Sequence, residues 1–191
     1  MRPDPADTDE ALAQRALTGR DAFGHLVSRY ADKIFNLAYR MTGDRAQAED
    51  LAQDAFLRAY RGLGGFKPGY AFGAWLYRIA LNVCLTHLRR QATAVVEPLA
   101  EDGEAILDET ASVTELAERR EVQQAVQQAI LSLPPNYRAV IVLYHLEGRS
   151  YDEIAGLLHL PVNTVRTHLH RARAMLRERL ANGERQNVSR T

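Results

Sequence analysis

Residues 148–180 read GRSYDEIAGLLHLPVNTVRTHLHRARAMLRERL, and their side chains suit gripping a polyanion better than making or breaking bonds. Val162, Val165, Leu169, Ala172 and Leu176 recur at three and four, so one helix face turns to a core. That leaves Asn163, Arg166, Thr167, His170, Arg171 and Arg173 outward or on the flanks. Arginines and hydroxyls on such a face can read base edges and hold phosphates in a major groove. Arg149 and Ser150 open the preceding helix, where a side chain and free N–H groups can hold a nucleic-acid backbone. A solvated arginine face on a small bundle fits the same pattern. His168 and His170, at i and i+2, point apart on a helix and make no metal pair.

A second stretch, GLGGFKPGYAFGAWLYRIA (62–80), is loose, ring-rich and basic. From Ala55 to Val96 there is no Asp or Glu, while Arg58, Arg61, Lys67, Arg78, Arg89 and Arg90 give +6. An unpaired base needs a ring or apolar surface, worth roughly 1–3 kcal/mol per base. Its backbone needs cations and no nearby carboxylate. Glycines let the chain approach closely. Arg61, Phe66 and Lys67, with Arg78, Asn82 and Arg89 on the following helix, supply these parts. Trp75 and Leu76 read as core, and a long turn explains the glycines equally well. Lys67 precedes Pro68, so this is no phosphate-binding P-loop.

A third stretch, DRAQAEDLAQDAFLRAYRGL (44–63), is a helix with Asp44 as N-cap. Leu51 and Phe56 belong with the core. Glu49, Asp50, Gln53 and Asp54 form an acidic-polar face suited to a basic partner surface. Complementing the helix dipole is the plainer role for these acids.

Helices must position all three stretches. Phe23, Leu26, Val27, Tyr30, Ile34, Leu37, Ala38 and Met41 make one apolar face over 22–41, with Gly43 where a C-cap is expected. The second helix spans about Arg45 to Arg61, and helical spacing returns from about Tyr70 to Arg90. Residues 91–113 lack a sustained pattern and read as a linker. Helices resume near Thr114, where Val122, Ala125, Val126, Ala129, Ile130 and Leu133 form a stripe stopped by Pro134–Pro135. Tyr137 to Tyr144 is a short apolar helix and Gly148 breaks it. Ser150 and Glu153 have capping-box spacing. The last helix runs from near Pro161 to about Leu180, which completes a helix-turn-helix. The predicted fold is all-α: two small helical domains joined by a flexible acidic linker.

The totals agree with binding rather than catalysis. The 191 residues carry formal net charge zero, but in blocks. Nine acids from Glu97 to Glu121 against Arg119 and Arg120 give −7, and seven arginines from Pro161 onward against Glu178 and Glu184 give +5. Two basic modules flanking an acidic connector suggest one polyanion touched by both; three unrelated solvated surfaces remain the alternative. The lone Cys84 makes no internal disulfide, and no CxxC or Cys/His cluster offers a zinc site. There is no apolar run of membrane-spanning length, and MRPDPADTDE is not a secretory signal. The chain reads as cytoplasmic, without cofactor. Six scattered histidines and no nucleophile–base pair argue against an enzyme.

The motifs resemble those of the extracytoplasmic-function (ECF) group of bacterial RNA polymerase sigma factors. Leu133-Pro134 through Arg138, Gly148 to Ala155 (GxSYxEIA) and Thr164 to Arg173 (TVxxxLxRAR) look like sigma region 4. The family usually has Ser-Arg where this chain has Thr167-His168, a pair also common in the helix-turn-helix of response regulators. Asp44, Ala48, Glu49, Asp50, Leu51, Gln53, Asp54, Phe56 and Leu57 fit the region 2 pattern, which response regulators lack. Phe66, Phe72 and WLxRIAxN (Trp75 to Asn82) resemble its promoter-melting part, with Thr86 where an acid is frequent. The resemblance implies an N-terminal extension over 1–20, region 2 over 21–93, an acidic linker over 94–118, region 4 over 119–183 and a tail over 184–191. It implies that core RNA polymerase binds Asp44, Glu49, Asp50, Leu51, Gln53, Asp54 and Phe56. Arg61, Phe66, Lys67, Arg78, Asn82 and Arg89 would meet the melted minus-ten strand. Arg149, Ser150, Arg166, Thr167, His170, Arg171 and Arg173 would meet the minus-thirty-five duplex. An anti-sigma protein is the further partner it implies. The alternative is a helix-turn-helix regulator that never enters the polymerase.

Overall fold

The computed structural model describes residues 8–67, 69–93 and 113–188. The chain becomes helical earlier than its periodicity predicts. Thr8 caps α1 (Asp9–Ala16), its hydroxyl accepting the Ala11 N–H at 3.2 Å, and Asp9 and Glu10 sit at the positive end of the helix. Leu12, Ala13 and Ala16 are buried. Within the predicted N-terminal extension, α1 therefore packs on α2 of the first module. Asp9 accepts from the Tyr30 hydroxyl and from Arg29 at 2.8 Å. Glu10 accepts the Phe72 N–H at 3.1 Å, which supplies a cap for the helix that starts there.

Helix α2 (Arg20–Thr42) buries Leu26, Ile34, Leu37 and Met41. It ends at Gly43, whose φ of 75° is the left-handed conformation that glycine takes without strain. Asp44 then caps α3 (Arg45–Gly62), accepting the Gln47 N–H at 2.9 Å. Small residues on α3, namely Ala48, Ala52, Ala55 and Ala59, let it lie close to its neighbours. A 3-10 turn at Leu63–Gly65 and a short connector lead to α4 (Phe72–Thr93), so the predicted open loop begins with a structured turn. Helix α4 is the spine of the module, with Phe72, Leu76, Leu81 and Cys84 at 0–1 % exposure. Burial pushes the Cys84 thiol up to about 12.

Of the predicted linker over 94–118, residues 94–112 lie outside the described residues, and 113–118 belong to the helix that follows. The second module comprises α5 (Val113–Leu131), α6 (Pro135–Ile141), a π-type turn at Val142–Leu146, α7 (Tyr151–Leu158) and α8 (Val162–Val188). Proline at the first position of α6 needs no N–H partner there. The capping box forms: Glu153 N–H donates to the Ser150 hydroxyl, and Ser150 N–H donates to the Glu153 carboxylate at 2.9 Å. Helix α8 continues beyond the predicted end near Leu180. The α5 stripe is corrected. Val122 is 63 % exposed and Val126 39 %, and only Ala129, Ile130 and Leu133 are buried. Val122 and Val126 stand clear of the core, so periodicity alone overcounted the buried face.

The modules pack on each other, chiefly through α4 against α6 and α7. Arg138 crosses this boundary. Its guanidinium, 9 % exposed, donates to the carbonyls of Met41, Leu131 and Leu133. Met41 and Leu131 lie in the last turns of α2 and α5, where unpaired carbonyls concentrate negative charge. One cation thus closes two helix ends from different modules. Burial pushes its own value down to about 10, still charged at neutral pH.

Candidate functional site

The α3 face is built by helical spacing. Glu49, Asp50 and Gln53 are exposed on one strip, while Leu51 and Phe56 point inward. Two acids of the motif are engaged within the chain. Asp44 is engaged as the N-cap, and the Gln47 N–H holds its carboxyl below the usual carboxylate range. Asp54 forms a bidentate pair with Arg58, which donates from Nε to Oδ1 at 3.0 Å and from Nη2 to Oδ2 at 2.9 Å. Leu57, 54 % exposed, lies one turn beyond Gln53, an exposure the sequence reading did not single out. An apolar side chain amid charges inside a helical motif is the signal that could have found it. The strip therefore offers the Asp50 carboxylate, the Glu49 carboxylate paired with Arg45 at 3.2 Å, an amide and an apolar knob.

The ring-rich stretch corrects one assignment. Phe66 is 7 % exposed and packs against Phe72 at 5.7 Å and Trp75 at 5.4 Å between ring centroids. Its faces are occupied by aromatic packing, so it is not a free stacking platform. Tyr70, which the sequence reading left unassigned, is 68 % exposed. Arg61, Lys67, Arg78 and Asn82 are exposed. Arg78 and Asn82 share one face of α4, four residues apart. Arg89 donates to Asn136 of the other module at 3.1 Å.

On α8, Val165, Leu169 and Ala172 are buried at 0–1 % exposure. Asn163, Arg166, Thr167, His170 and Arg171 emerge on one exposed face. Arg173 does not join them. Its guanidinium lies 5.1 Å from the Tyr144 ring centre, and its Nε–H donates to His145 Nε2 at 3.2 Å. Burial, then the Arg173 charge, lowers the His145 value, which keeps that ring a neutral acceptor. His168 meets Tyr137 edge-on at 5.1 Å, so the two histidines diverge as helical spacing requires. At the start of α7 the Ser150 hydroxyl and N–H are already used by Glu153. The expected free phosphate site is thus filled by the chain's own carboxylate. Arg149 pairs with the same Glu153 at 3.1 Å and lies over the Tyr77 ring at 5.2 Å, facing the first module.

A cavity of about 780 Å³ opens between the modules. Lys67, Tyr70, Trp75, Arg78 and Asn82 line one side, and Arg149 and Leu157 the other. Among the described residues no helix is long and apolar enough to cross a membrane.

An acidic helical strip, a basic ring-rich corner and an exposed arginine face on the helix-turn-helix of the second module are the parts of an initiation factor that joins an enzyme to DNA. Residues 26–93 match the family model Sigma-70 region 2, and residues 123–176 match Sigma-70, region 4. The chain belongs to the ECF group of RNA polymerase sigma factors. The ECF RNA polymerase sigma factor SigE of Mycolicibacterium smegmatis is 36 % identical over 182 residues, covering 93 % of this chain and 70 % of that protein. SigW of Bacillus subtilis is 38 % identical over 175 residues, covering 84 % and 90 %. The solved structure of CnrH in complex with the cytosolic domain of CnrY superposes with a TM-score of 0.65 at 30 % identity, covering 91 % and 97 %. The chain therefore acts by binding core RNA polymerase and directing promoter-specific initiation, not as a regulator that stays outside the enzyme.

Proposed function

We propose that the α3 strip of Glu49, Asp50, Gln53 and Leu57 is the surface that docks on core polymerase. The observation that carries this reading is the emergence of acids and an apolar residue on one strip, while Leu51 of the same motif is buried. Asp44 and Asp54 support it indirectly, the first by starting the helix and the second by fixing Arg58. Phe56, half-buried, holds α3 against the core.

The melted minus-ten strand meets Arg61, Lys67, Tyr70, Arg78 and Asn82, with Phe66 as the floor beneath them and Arg89 farther along α4. Rings hold unstacked bases and the cations follow the strand. The minus-thirty-five duplex meets Arg166, Thr167, His170 and Arg171 in its major groove, with Arg149 and Ser150 near the backbone and Arg173 bracing α8 from behind. The protein works in the cytoplasm with the polymerase, performs no bond chemistry itself and needs no cofactor. The family implies an anti-sigma partner, and the solved relative that carries a second polypeptide is consistent with one.

A titration of labelled core polymerase tests the docking surface. Asp50→Ala with Leu57→Ala weakens binding by about tenfold or more, whereas exposed Gln123→Ala on α5 leaves it unchanged. Equal affinities for all three proteins would remove α3 as the docking site.

A further inference from the structure

Lys67 and Tyr70 stand just ahead of α4, where the chain cannot cap itself. Ala71, Phe72, Gly73 and Ala74 carry no side-chain acceptor, and the first turn of α4 holds no acid. The N–H groups at a helix start need partners and attract negative charge. One partner comes from far away in sequence. Glu10 of α1, 62 residues earlier, accepts the Phe72 N–H at 3.1 Å.

The neighbouring Asp9 ties the same helix end to α2. It accepts the Tyr30 hydroxyl and pairs with Arg29 at 2.8 Å. Burial, then the bond to Asp9, pushes the Tyr30 hydroxyl well above its ordinary value, so it stays a donor. The Tyr30 ring meets Phe72 edge-on at 5.8 Å. Gly73 makes room for it: a Cβ there would stand 2.6 Å from the Tyr30 hydroxyl oxygen. Phe72 in turn meets Phe66 at 5.7 Å. Contacts thus run from α1 through Tyr30 and Phe72 to Phe66. The buried rings of Phe66 and Phe72 flank Lys67 and Tyr70 in sequence, and those two side chains are exposed. None of Asp9, Glu10, Tyr30 and Gly73 is assigned to polymerase or DNA.

We propose that α1 braces the strand-binding corner: Glu10, by holding the Phe72 N–H, and Asp9, by holding Tyr30 against α4, fix the segment that presents Lys67 and Tyr70 to the melted minus-ten strand. This rests on the reading of Lys67 and Tyr70 as strand contacts. Glu10 is a positioning residue and touches no DNA itself. A segment fixed before the strand arrives loses less freedom on binding, so the brace shows as affinity for unpaired DNA. Its carboxylate is spent on a helix start, so an acid stands beside a basic corner without opposing it.

The test uses holoenzyme reconstituted from core polymerase and the full chain, with a fluorescein-labelled single strand carrying the minus-ten sequence of a promoter mapped by run-off transcription. Glu10→Ala weakens strand binding by about fivefold, while affinity for core polymerase and protection of the upstream duplex stay at the wild-type level. Glu10→Gln, whose amide oxygen can accept the same N–H, stays within about twofold of the wild type. Tyr30→Phe keeps the ring against Phe72, loses the bond to Asp9 and weakens strand binding by about twofold. A double-mutant cycle separates positioning from general support: once Lys67→Ala and Tyr70→Ala have removed the strand contacts, adding Glu10→Ala costs nothing further. Wild-type strand affinity in Glu10→Ala and Tyr30→Phe overturns the brace. So does a Glu10→Ala loss that persists undiminished in the Lys67/Tyr70 background, or one matched by equal loss of core polymerase binding. Wild-type strand affinity in the Lys67/Tyr70 variant instead overturns the strand reading, and the brace falls with it.

Discussion

Arg138 illustrates how one side chain can join distant parts of a fold. Truncation to alanine leaves buried carbonyls at two helix ends without a donor, at a cost of about 2–4 kcal/mol. Chemical denaturation of Arg138→Ala checks this, with a midpoint shift well below the wild type expected and an unchanged midpoint contradicting it. Nothing in local spacing announces this role, because the Met41 carbonyl lies 97 residues away in sequence. The packing of Phe66 was hidden for the same reason. A ring in a glycine-rich loop looks free until Phe72 and Trp75 fold over it. Acid response is also decided by single residues. The carboxyls of Asp44 and Glu153 are both held below their usual range, chiefly by backbone N–H donors at helix starts. A group depressed on folding stabilises the native state above its unfolded value, and that stabilisation fades as pH falls through the folded value. Stability therefore drops below about pH 4, and Asp44→Asn with Glu153→Gln flattens that part of the curve. Thermal melts from neutral to acid pH check it; parallel curves for wild type and variant would contradict it.

At the scale of elements, the sequence was most readable where a helix has one wet and one dry face. The i, i+3, i+4 recurrence on α8 separates Val165, Leu169 and Ala172 from the exposed arginines without knowledge of any neighbour. Helix α1 was missed because it is eight residues long and buries mainly alanines, so its hydrophobic signal is small, although Thr8 with Asp9 and Glu10 marks its start. The upper half of α5 misled in the other direction, since a stripe shows what can be buried and not whether anything covers it. Connections carry their own requirement. His159 ends α7 with φ of 53°, the left-handed conformation, at a C-cap where glycine is favoured. His159→Gly relieves about 1 kcal/mol of backbone strain and raises the melting temperature, provided the exposed imidazole contributes little else. Gly43→Ala does the reverse. Its positive φ is retained and its new methyl runs into the Leu131 side chain, so calorimetry should find a loss of about 1–3 kcal/mol.

The whole molecule is two helical modules whose charges belong to different partners. In the proposed reading the acidic strip of α3 meets the polymerase, while the corner around Lys67 and Arg78 and the outer face of α8 meet DNA. The motifs of both modules were legible because each is read within one helix or one helix pair. Their mutual packing was not, since Glu147, Arg40 and Tyr77 come from three separate stretches with no shared pattern. At this scale Arg171→Ala weakens upstream duplex recognition by about 1–3 kcal/mol if it reads a base, and leaves polymerase binding intact. Footprinting of the reconstituted holoenzyme checks it, with lost protection confined to the upstream element. The most direct measurement is run-off transcription with core polymerase, this chain and fragments of bacterial genomic DNA, followed by mapping of RNA 5′ ends. The account predicts transcripts that begin at defined positions only when the chain is present, and that fall away when Asp50 and Leu57 are replaced by alanine. RNA with random starts, the same with and without the chain, would contradict it.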